Sequence, residues 1–153
     1  MTDTDSYEYG QKVANLATAY TMMTPTGPVP VGEPRRARNE IFKGTPAGGG
    51  YSTAEDMLKF AAALTSNRLL GAKYTEIVTT GKIKMGPQKY AYGFGEHMTN
   101  GQRSFGHNGG APGVGTYFQI YPASGHTFVM LTNYDPEAME KLSEQIERLI
   151  VGG

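Results

Sequence analysis

Residues 90–133, YAYGFGEHMTNGQRSFGHNGGAPGVGTYFQIYPASGHTFVMLTN, decide the fold of this chain. Asn100-Gly101 is the strongest short hairpin signal, and it precedes a run of strand-forming residues. Residues 116–121 and 127–132 are rich in β-branched and aromatic side chains, and a Pro-Ala-Ser-Gly turn separates them. The stretch therefore predicts an antiparallel meander of three to four strands that ends in a tight hairpin.

Two finer predictions concern the ends of this stretch. Tyr90, Tyr92 and Phe94 alternate with Ala and Gly, which is typical of one aromatic face of a strand. Residues 127–132 are almost wholly apolar, and such a run predicts a central strand that is covered on both faces.

Helix signals lie on both sides of the predicted sheet. Ser52 and Glu55 fit a capping box, with Ser52 as the N-cap of a helix over about residues 53–65. A shorter helix is predicted over residues 72–80, ending near Gly81. By contrast, residues 24–50 contain many Pro and Gly and predict a long loop.

The carboxy-terminal residues predict a third helix. Asp135 would be its N-cap and Pro136 its first residue. A stripe of apolar residues at helical spacing would lie across the sheet: Met139, Leu142, Ile146, Leu149 and Ile150.

Together these signals predict an α+β fold (α/β-like), in which the terminal helix packs on the antiparallel sheet beside a loop-rich, helical partial lobe. We assign residues 1–153 to a single partial domain. Residues 1–89 would form its loop-rich and helical segment, and residues 90–153 its strands and terminal helix.

Composition excludes several classes of function. The 14 Lys+Arg balance 14 Asp+Glu without a basic block, which disfavours nucleic-acid binding. No apolar run is long enough to predict a membrane span. The absence of cysteine excludes disulfides, thiol catalysis and Cys-ligated metal, and the three scattered histidines predict no metal site. We predict no cofactor, and the composition leaves the compartment open.

Chemistry is expected at Gly106-His107-Asn108-Gly109-Gly110. A histidine at a strand end, followed by glycines, lets a ligand approach the backbone closely. Two plainer interpretations stay open from the residues alone. His107 could be a structural histidine that backbone groups satisfy, and Gly109 and Gly110 could be turn glycines.

Three blocks of the sequence carry a resemblance: PAGGGYSTAEDMLKFAAAL, YGFGEH, and FGHNGGAPGVGTYFQIYPASGHTFVMLTN. In this order they resemble the carboxy-terminal half of the serine β-lactamase-related family, which includes class C β-lactamases, D-alanyl-D-alanine carboxypeptidases and esterases. The resemblance implies acyl transfer through a Ser-x-x-Lys nucleophile, a Tyr-x-Asn motif and a third motif that is often His-x-Gly. His107-Asn108-Gly109 matches the third motif. No serine here has Lys three residues later, and no tyrosine has Asn two residues later.

The resemblance implies site residues but an incomplete site. His107 would polarise the proton network or meet a substrate carboxylate, Gly109 would leave room for the acyl group, and the Gly110 N–H would be one oxyanion donor. The nucleophile and its base are absent, so the chain is expected to be a carboxy-terminal piece that is inactive alone. The alternative is a non-catalytic ligand-binding or structural module derived from the same fold.

The resemblance also implies partners. The substrate of the complete protein would be a small acyl compound, namely a β-lactam, a D-alanyl peptide or an ester. In the family, two further strands and a long helix complete the sheet, so their absence would leave an edge open to a second copy or to the complementary amino-terminal half. Members of the family are often periplasmic or extracellular.

Overall fold

The structure, a computed structural model, describes residues 1–8, 11–24, 27–28, 35–36 and 44–152. Most of the loop predicted over residues 24–50 lies outside these ranges. In chain order the elements are β1 (Tyr20–Thr21), β2 (Met23–Thr24), β3 (Gly27–Pro28), β4 (Arg35–Arg36), α1 (Ala54–Thr65), α2 (Ala72–Thr79), β5 (Ile83–Met85), β6 (Gln88–Tyr90), β7 (Gly95–Thr99), β8 (Gln102–Ala111), β9 (Val114–Tyr121), β10 (His126–Thr132) and α3 (Glu137–Val151).

The main sheet is an antiparallel meander in the order β10-β9-β8-β7-β6-β5. The predicted antiparallel sheet with a terminal helix is therefore confirmed. The three to four strands predicted within residues 90–133 are the four strands β7 to β10. The sequence did not predict β5 and β6, which extend the sheet to six. These two strands have three residues each, too few to show an alternating pattern in the sequence.

The turns explain where the strands begin and end. Asn100 and Gly101 have φ of 49° and 75°, the left-handed conformation that a tight hairpin turn requires, and they join β7 to β8 as predicted. The single strand predicted over Tyr90, Tyr92 and Phe94 is wrong. Gly93 has φ of 83°, and the N–H of Ala91 donates to the carbonyl of Phe94, so this segment is a turn between β6 and β7.

Two helices cover opposite faces of the sheet. On one face, α1 packs against β8 and β9 through a cluster of Ala61, Leu64, Phe105, Phe118 and Ile120. On the other face, α3 packs through a cluster of Tyr121, Phe128 and Val151. The sheet is thus the middle layer, and the pleat sends alternate side chains into the two clusters.

Strand β10 is not central, so that prediction is wrong: it is the last strand of the sheet as far as the described residues extend. The expected cover on both faces is nevertheless present. Val129 packs towards α1, whereas Phe128 and Met130 pack towards α3. Helices cover both faces of this edge strand, so its sequence is apolar on both faces, as in a central strand.

Helix α1 begins one residue later than predicted, and its N-cap is Thr53 rather than Ser52. The Thr53 hydroxyl accepts a hydrogen bond from the N–H of Asp56 at 3.2 Å. The Ser52 hydroxyl lies 2.9 Å from that of Thr4 instead. The N-cap is the residue whose hydroxyl reaches the first turn of the helix, and the sequence alone does not show whether that is Ser52 or Thr53.

The fully buried carboxylate of Asp56 joins α1 to the start of the chain. It accepts hydrogen bonds from the N–H of Asp3 and the hydroxyl of Thr4, both at 2.9 Å. Burial acts to raise the pKa of Asp56, but these bonds and Lys59 outweigh it and hold the pKa below its usual value. Asp56 is therefore an anchor for the segment that precedes the helix.

Helix α3 departs from the prediction in its cap and in its apolar stripe. The side chain of Asp135 does not cap the helix, and Pro136 occupies the N-cap position. Met139 is buried as expected, but Leu142 is 49% exposed and Leu149 83% exposed. Two of the five stripe residues are therefore exposed in the described part of the chain. No helix of the described ranges is long and apolar enough to span a bilayer.

Candidate functional site

The open side of β8 is the candidate site. The register between β7 and β8 ends at Gly95 opposite Gly106, whereas β9 pairs with β8 as far as Ala111. No strand among the described residues pairs with the other side of residues 107–111. Residues 107–110 are also exposed. Such an edge presents backbone donors and acceptors to an extended ligand.

His107 stands at the first residue of this open side. Its Nδ1 lies 2.6 Å from the carbonyl oxygen of Asn108, and its Nε2 lies 2.9 Å from the hydroxyl of Tyr90. Because a carbonyl oxygen can only accept, Nδ1 carries a proton. In the tautomer with a proton on Nδ1 alone, Nε2 accepts from the Tyr90 hydroxyl. Backbone and a tyrosine therefore fix the tautomer of His107.

Tyr90 is the site residue that sequence reasoning missed. It ends β6, and its ring meets the His107 ring edge-on at a centroid distance of 5.8 Å. In the sequence it had the appearance of a strand-face aromatic. No local signal joins it to His107, which lies 17 residues later and on a different strand.

The structure brings the three predicted site residues, His107, Gly109 and Gly110, onto one stretch of β8. Alternation along the strand puts Asn108 on the opposite face from His107 and Gly109. Neither Gly109 nor Gly110 has a positive φ, so the interpretation of them as turn glycines is wrong. The turn glycine of this hairpin is Gly113, with φ of 76°.

Close contacts explain why this stretch contains glycine. A Cβ at Gly106 would overlap the carbonyl oxygen of Phe118, and one at Gly110 would lie 2.6 Å from Cγ of Pro136. At Gly109 a Cβ would lie 2.7 Å from the Thr116 hydroxyl, a side chain that can turn away. Gly106 and Gly110 are therefore required for packing, while Gly109 chiefly leaves the open side clear.

Asp135 clamps the tip of the β8–β9 hairpin. Its carboxylate accepts from the N–H of Gly113 at 2.7 Å and from the N–H of Met22 at 2.6 Å. Burial acts to raise the pKa of Asp135, but hydrogen bonds from Thr21, Met22 and Gly113 outweigh it and hold the pKa below its usual value. The carboxylate thus fixes the turn that follows Gly110.

A cavity of about 140 Å³ lies beside His107, over β5 to β9. Among the described residues, no Asp, Glu, Lys or Arg lines it. Glu96 of β7 pairs with Arg103 instead. The residues around it are Met85, Gln88, Tyr90, Gly95, His97, Gly106, His107, Asn108 and Gln119.

Metal ligands are not grouped in this structure. Within the described ranges, no three of the His, Asp and Glu side chains come together as a metal site. His97 lines the cavity, whereas His126 begins β10 opposite Tyr121.

Solved structures share this fold. A penicillin binding protein from Bacillus halodurans is 25% identical with a TM-score of 0.78, and the match covers 95% of this chain and 44% of that one. A D-stereospecific amidohydrolase from Streptomyces sp. is 22% identical with a TM-score of 0.65, covering 88% of this chain and 40% of the other. A D-amino acid amidase from Ochrobactrum anthropi SV3, complexed with D-phenylalanine, is 19% identical with a TM-score of 0.67, covering 98% and 47%.

This chain therefore spans less than half the length of each of these three structures. No curated protein matches it. The profile of the Beta-lactamase family, however, matches residues 1–152, which is nearly the whole chain. This match agrees with the antiparallel sheet between helices and with the His-x-Gly sequence on the open strand. The chain belongs to the Beta-lactamase family.

Proposed function

We propose that this chain forms the His-x-Gly wall of a serine acyl hydrolase that cleaves β-lactam, D-alanyl peptide or ester bonds. The observation that carries the proposal is the open side of β8, where His107, Gly109 and Gly110 follow one another on an exposed, extended strand. The similar solved structures include a penicillin binding protein, an amidohydrolase and an amidase, which supports acyl chemistry as the class.

The chemistry requires a donor for the oxyanion and space for the acyl group. A tetrahedral intermediate of acyl transfer places negative charge on the former carbonyl oxygen, and preorganised N–H groups stabilise that charge. In this proposal the N–H of Gly110 is one donor, and Gly109 leaves the acyl group free of a side chain. His107, held by Tyr90 and Asn108, would take part in proton transfer or meet a substrate carboxylate.

The nucleophile and its base would come from a complementary segment outside this chain. Nucleophilic catalysis needs a hydroxyl held within hydrogen-bond reach of a base. No serine of this chain has the Ser-x-x-Lys spacing, and Ser52 contacts Thr4 at the start of α1. We therefore expect the 153-residue chain to be inactive alone and to regain activity with that segment.

The test compares the chain alone with the chain plus the complementary segment, either fused upstream or mixed in. Alone, the chain should gain no mass with a penicillin and should not turn over an activated ester above its His107→Ala variant. With the segment, turnover should appear, and His107→Ala should reduce it by about 10²- to 10⁴-fold. A stoichiometric acyl adduct on Ser52 of the isolated chain, or an undiminished His107→Ala enzyme, would refute the proposal.

One observation favours the second candidate, a non-catalytic ligand-binding module. Both ring nitrogens of His107 have partners within the chain, Tyr90 and Asn108, so neither is free for a nucleophile in this conformation. For this candidate the complemented protein would bind acyl compounds without turning them over. Steady-state turnover in the same assay separates the two.

A further inference from the structure

We propose that the cavity beside His107 is a binding subsite for an uncharged ligand group that donates hydrogen bonds, such as a primary carboxamide. The inference extends the proposed function to the adjoining subsite, but it is tested by binding to this chain alone. It rests on one unpartnered acceptor, on a lining without Asp, Glu, Lys or Arg from the described part of the chain, and on the glycines that create the space.

The unpartnered acceptor is Oε1 of Gln119. This side chain is 2% exposed, and Oε1 has no hydrogen-bond partner among the described residues. Leaving a buried carbonyl oxygen unpaired costs about 1–3 kcal/mol, so a group that pairs with it restores a lost interaction. Gln119 lines the cavity, and its Oε1 lies against Gly106 on the cavity floor, 2.8 Å from where a Cβ would stand.

The lining selects the charge of the ligand. Gln88 and Gln119 supply uncharged amide groups, His97 supplies an imidazole ring, and Met85 supplies an apolar wall. An ammonium or carboxylate ion would lose hydration there without gaining an opposite charge, which is costly. An uncharged N–H donor meets the Gln119 oxygen without that penalty.

Two glycines keep the space open. Gly95 and Gly106 pair with each other across β7 and β8, and both line the cavity. A Cβ at Gly95 would lie 2.6 Å from Oε1 of Gln88 and 3.4 Å from Nε2 of His97. At about 140 Å³ the cavity is close to the size that holds a benzene ring in an engineered core, so a ligand of four to six heavy atoms fits.

The experiment titrates the ¹⁵N-labelled chain at pH 7.5 with propionamide and follows the backbone amide signals. We expect saturable shifts at Gln88, Gly95, His97 and Gln119. Butan-2-one has nearly the same shape but no donor, and propionate carries a charge, so neither should give these shifts. Absence of saturable shifts with propionamide, or equal shifts with butan-2-one, would overturn the proposal.

Two variants test the assignment to Gln119. Gln119→Met removes the unpaired oxygen, so affinity for propionamide should fall about tenfold or more while the melting temperature rises by a few degrees. Gln145→Met, on the exposed side of α3, is the matched control and should change neither. If Gln119→Met does not fold, Gly95→Ala is the second variant, because its methyl group fills the cavity from another wall. It should abolish binding, and a dispersed amide spectrum would show that it is folded. Unchanged binding in a folded variant of either kind would refute the site.

These results separate the inference from the proposed function. Failure of propionamide to bind would leave the complementation assay untouched. Conversely, an inactive complemented enzyme would leave the carboxamide titration of the isolated chain valid.

Discussion

At the scale of single residues, glycine at position 110 has two roles, which a pair of variants can separate. It leaves space for Pro136, and it supplies the N–H that we assign to the oxyanion. A side chain at this position crowds Pro136, and a proline would also remove the N–H that we assign to the oxyanion. In the complemented enzyme, Gly110→Pro should therefore be slower than Gly110→Ala by about 10²-fold or more, because a lost oxyanion donor has an effect of that size.

Steady-state kinetics on both variants, with circular dichroism to verify folding, measures this difference. His126→Ala is the distant control, since His126 lies at the far end of β9 from the hairpin tip. Equal rates for the proline and alanine variants would remove Gly110 from the oxyanion site.

Asp135 gives a pH-dependent contribution to stability. Its pKa is lowered in the folded state, so its contribution is fully present above the unfolded value of about 3.9 and is lost as the pH falls through the lower folded value. Asp135→Asn should therefore destabilise the chain by about 1–3 kcal/mol at pH 7 and by less as the pH falls below 4. Urea unfolding of parent and variant between pH 2 and 7 measures this difference. If the difference in free energy of unfolding stayed constant across that range, the proposed role of the Asp135 carboxylate would be wrong.

At the scale of secondary-structure elements, removing each of two neighbouring hydroxyls, those of Ser52 and Thr53, tests which residue caps α1. Thr53→Ala removes the acceptor for the Asp56 N–H and should cost about 1 kcal/mol. Ser52→Ala removes only a contact with Thr4 and a long bond to its own neighbour's carbonyl, so its cost should be smaller. Chemical denaturation of the two variants distinguishes them, and a larger loss for Ser52→Ala would restore the sequence-based cap.

Elements with strong local signals were predictable from the sequence. Asn100-Gly101 determines its turn through backbone conformation alone, and the apolar face of α1 repeats with helical spacing. The candidate site residues His107, Gly109 and Gly110 were predicted from a short motif, because neighbouring residues on one strand need no tertiary information to be grouped.

Features that depend on tertiary contacts were not predictable. The hydrogen bond between Tyr90 and His107 arises because β6 ends where the open side of β8 begins. Asp135 has the sequence position of a helix cap, yet Gly113 and Met22 offer its side chain two backbone donors from elsewhere. A short polar side chain takes the donors that the fold brings to it, and the sequence does not show which they are.

At the scale of the whole molecule, β10 is the last strand of the sheet in the described residues, and α3, which packs on the same sheet, has exposed leucines. Leu142 and Leu149 stand seven residues apart on α3, and both are exposed in the described part of the chain. We expect this surface to bind a second copy or the complementary segment, since open strand edges and apolar helix faces favour association.

Self-association should therefore depend on Leu149. Light scattering behind size exclusion should give a mass that rises with concentration for the parent, and Leu149→Lys should lower that mass towards the monomer. Leu69→Lys is the control, because Leu69 is also an exposed leucine but lies between α1 and α2. A monomer at every concentration would contradict the expectation.

The Asp135 clamp has a consequence for the order in which the chain folds. It joins the amide of Met22 to a carboxylate 113 residues away, whereas β8, β9 and β10 meet through short hairpins. Because closing a long loop costs more entropy than closing a hairpin, the meander should form first and the segment around Met22 should dock last. The Met22 amide should then exchange its hydrogen for deuterium through partial openings, ahead of the amides of β9. Equal exchange rates would mean that docking and sheet formation are one cooperative step.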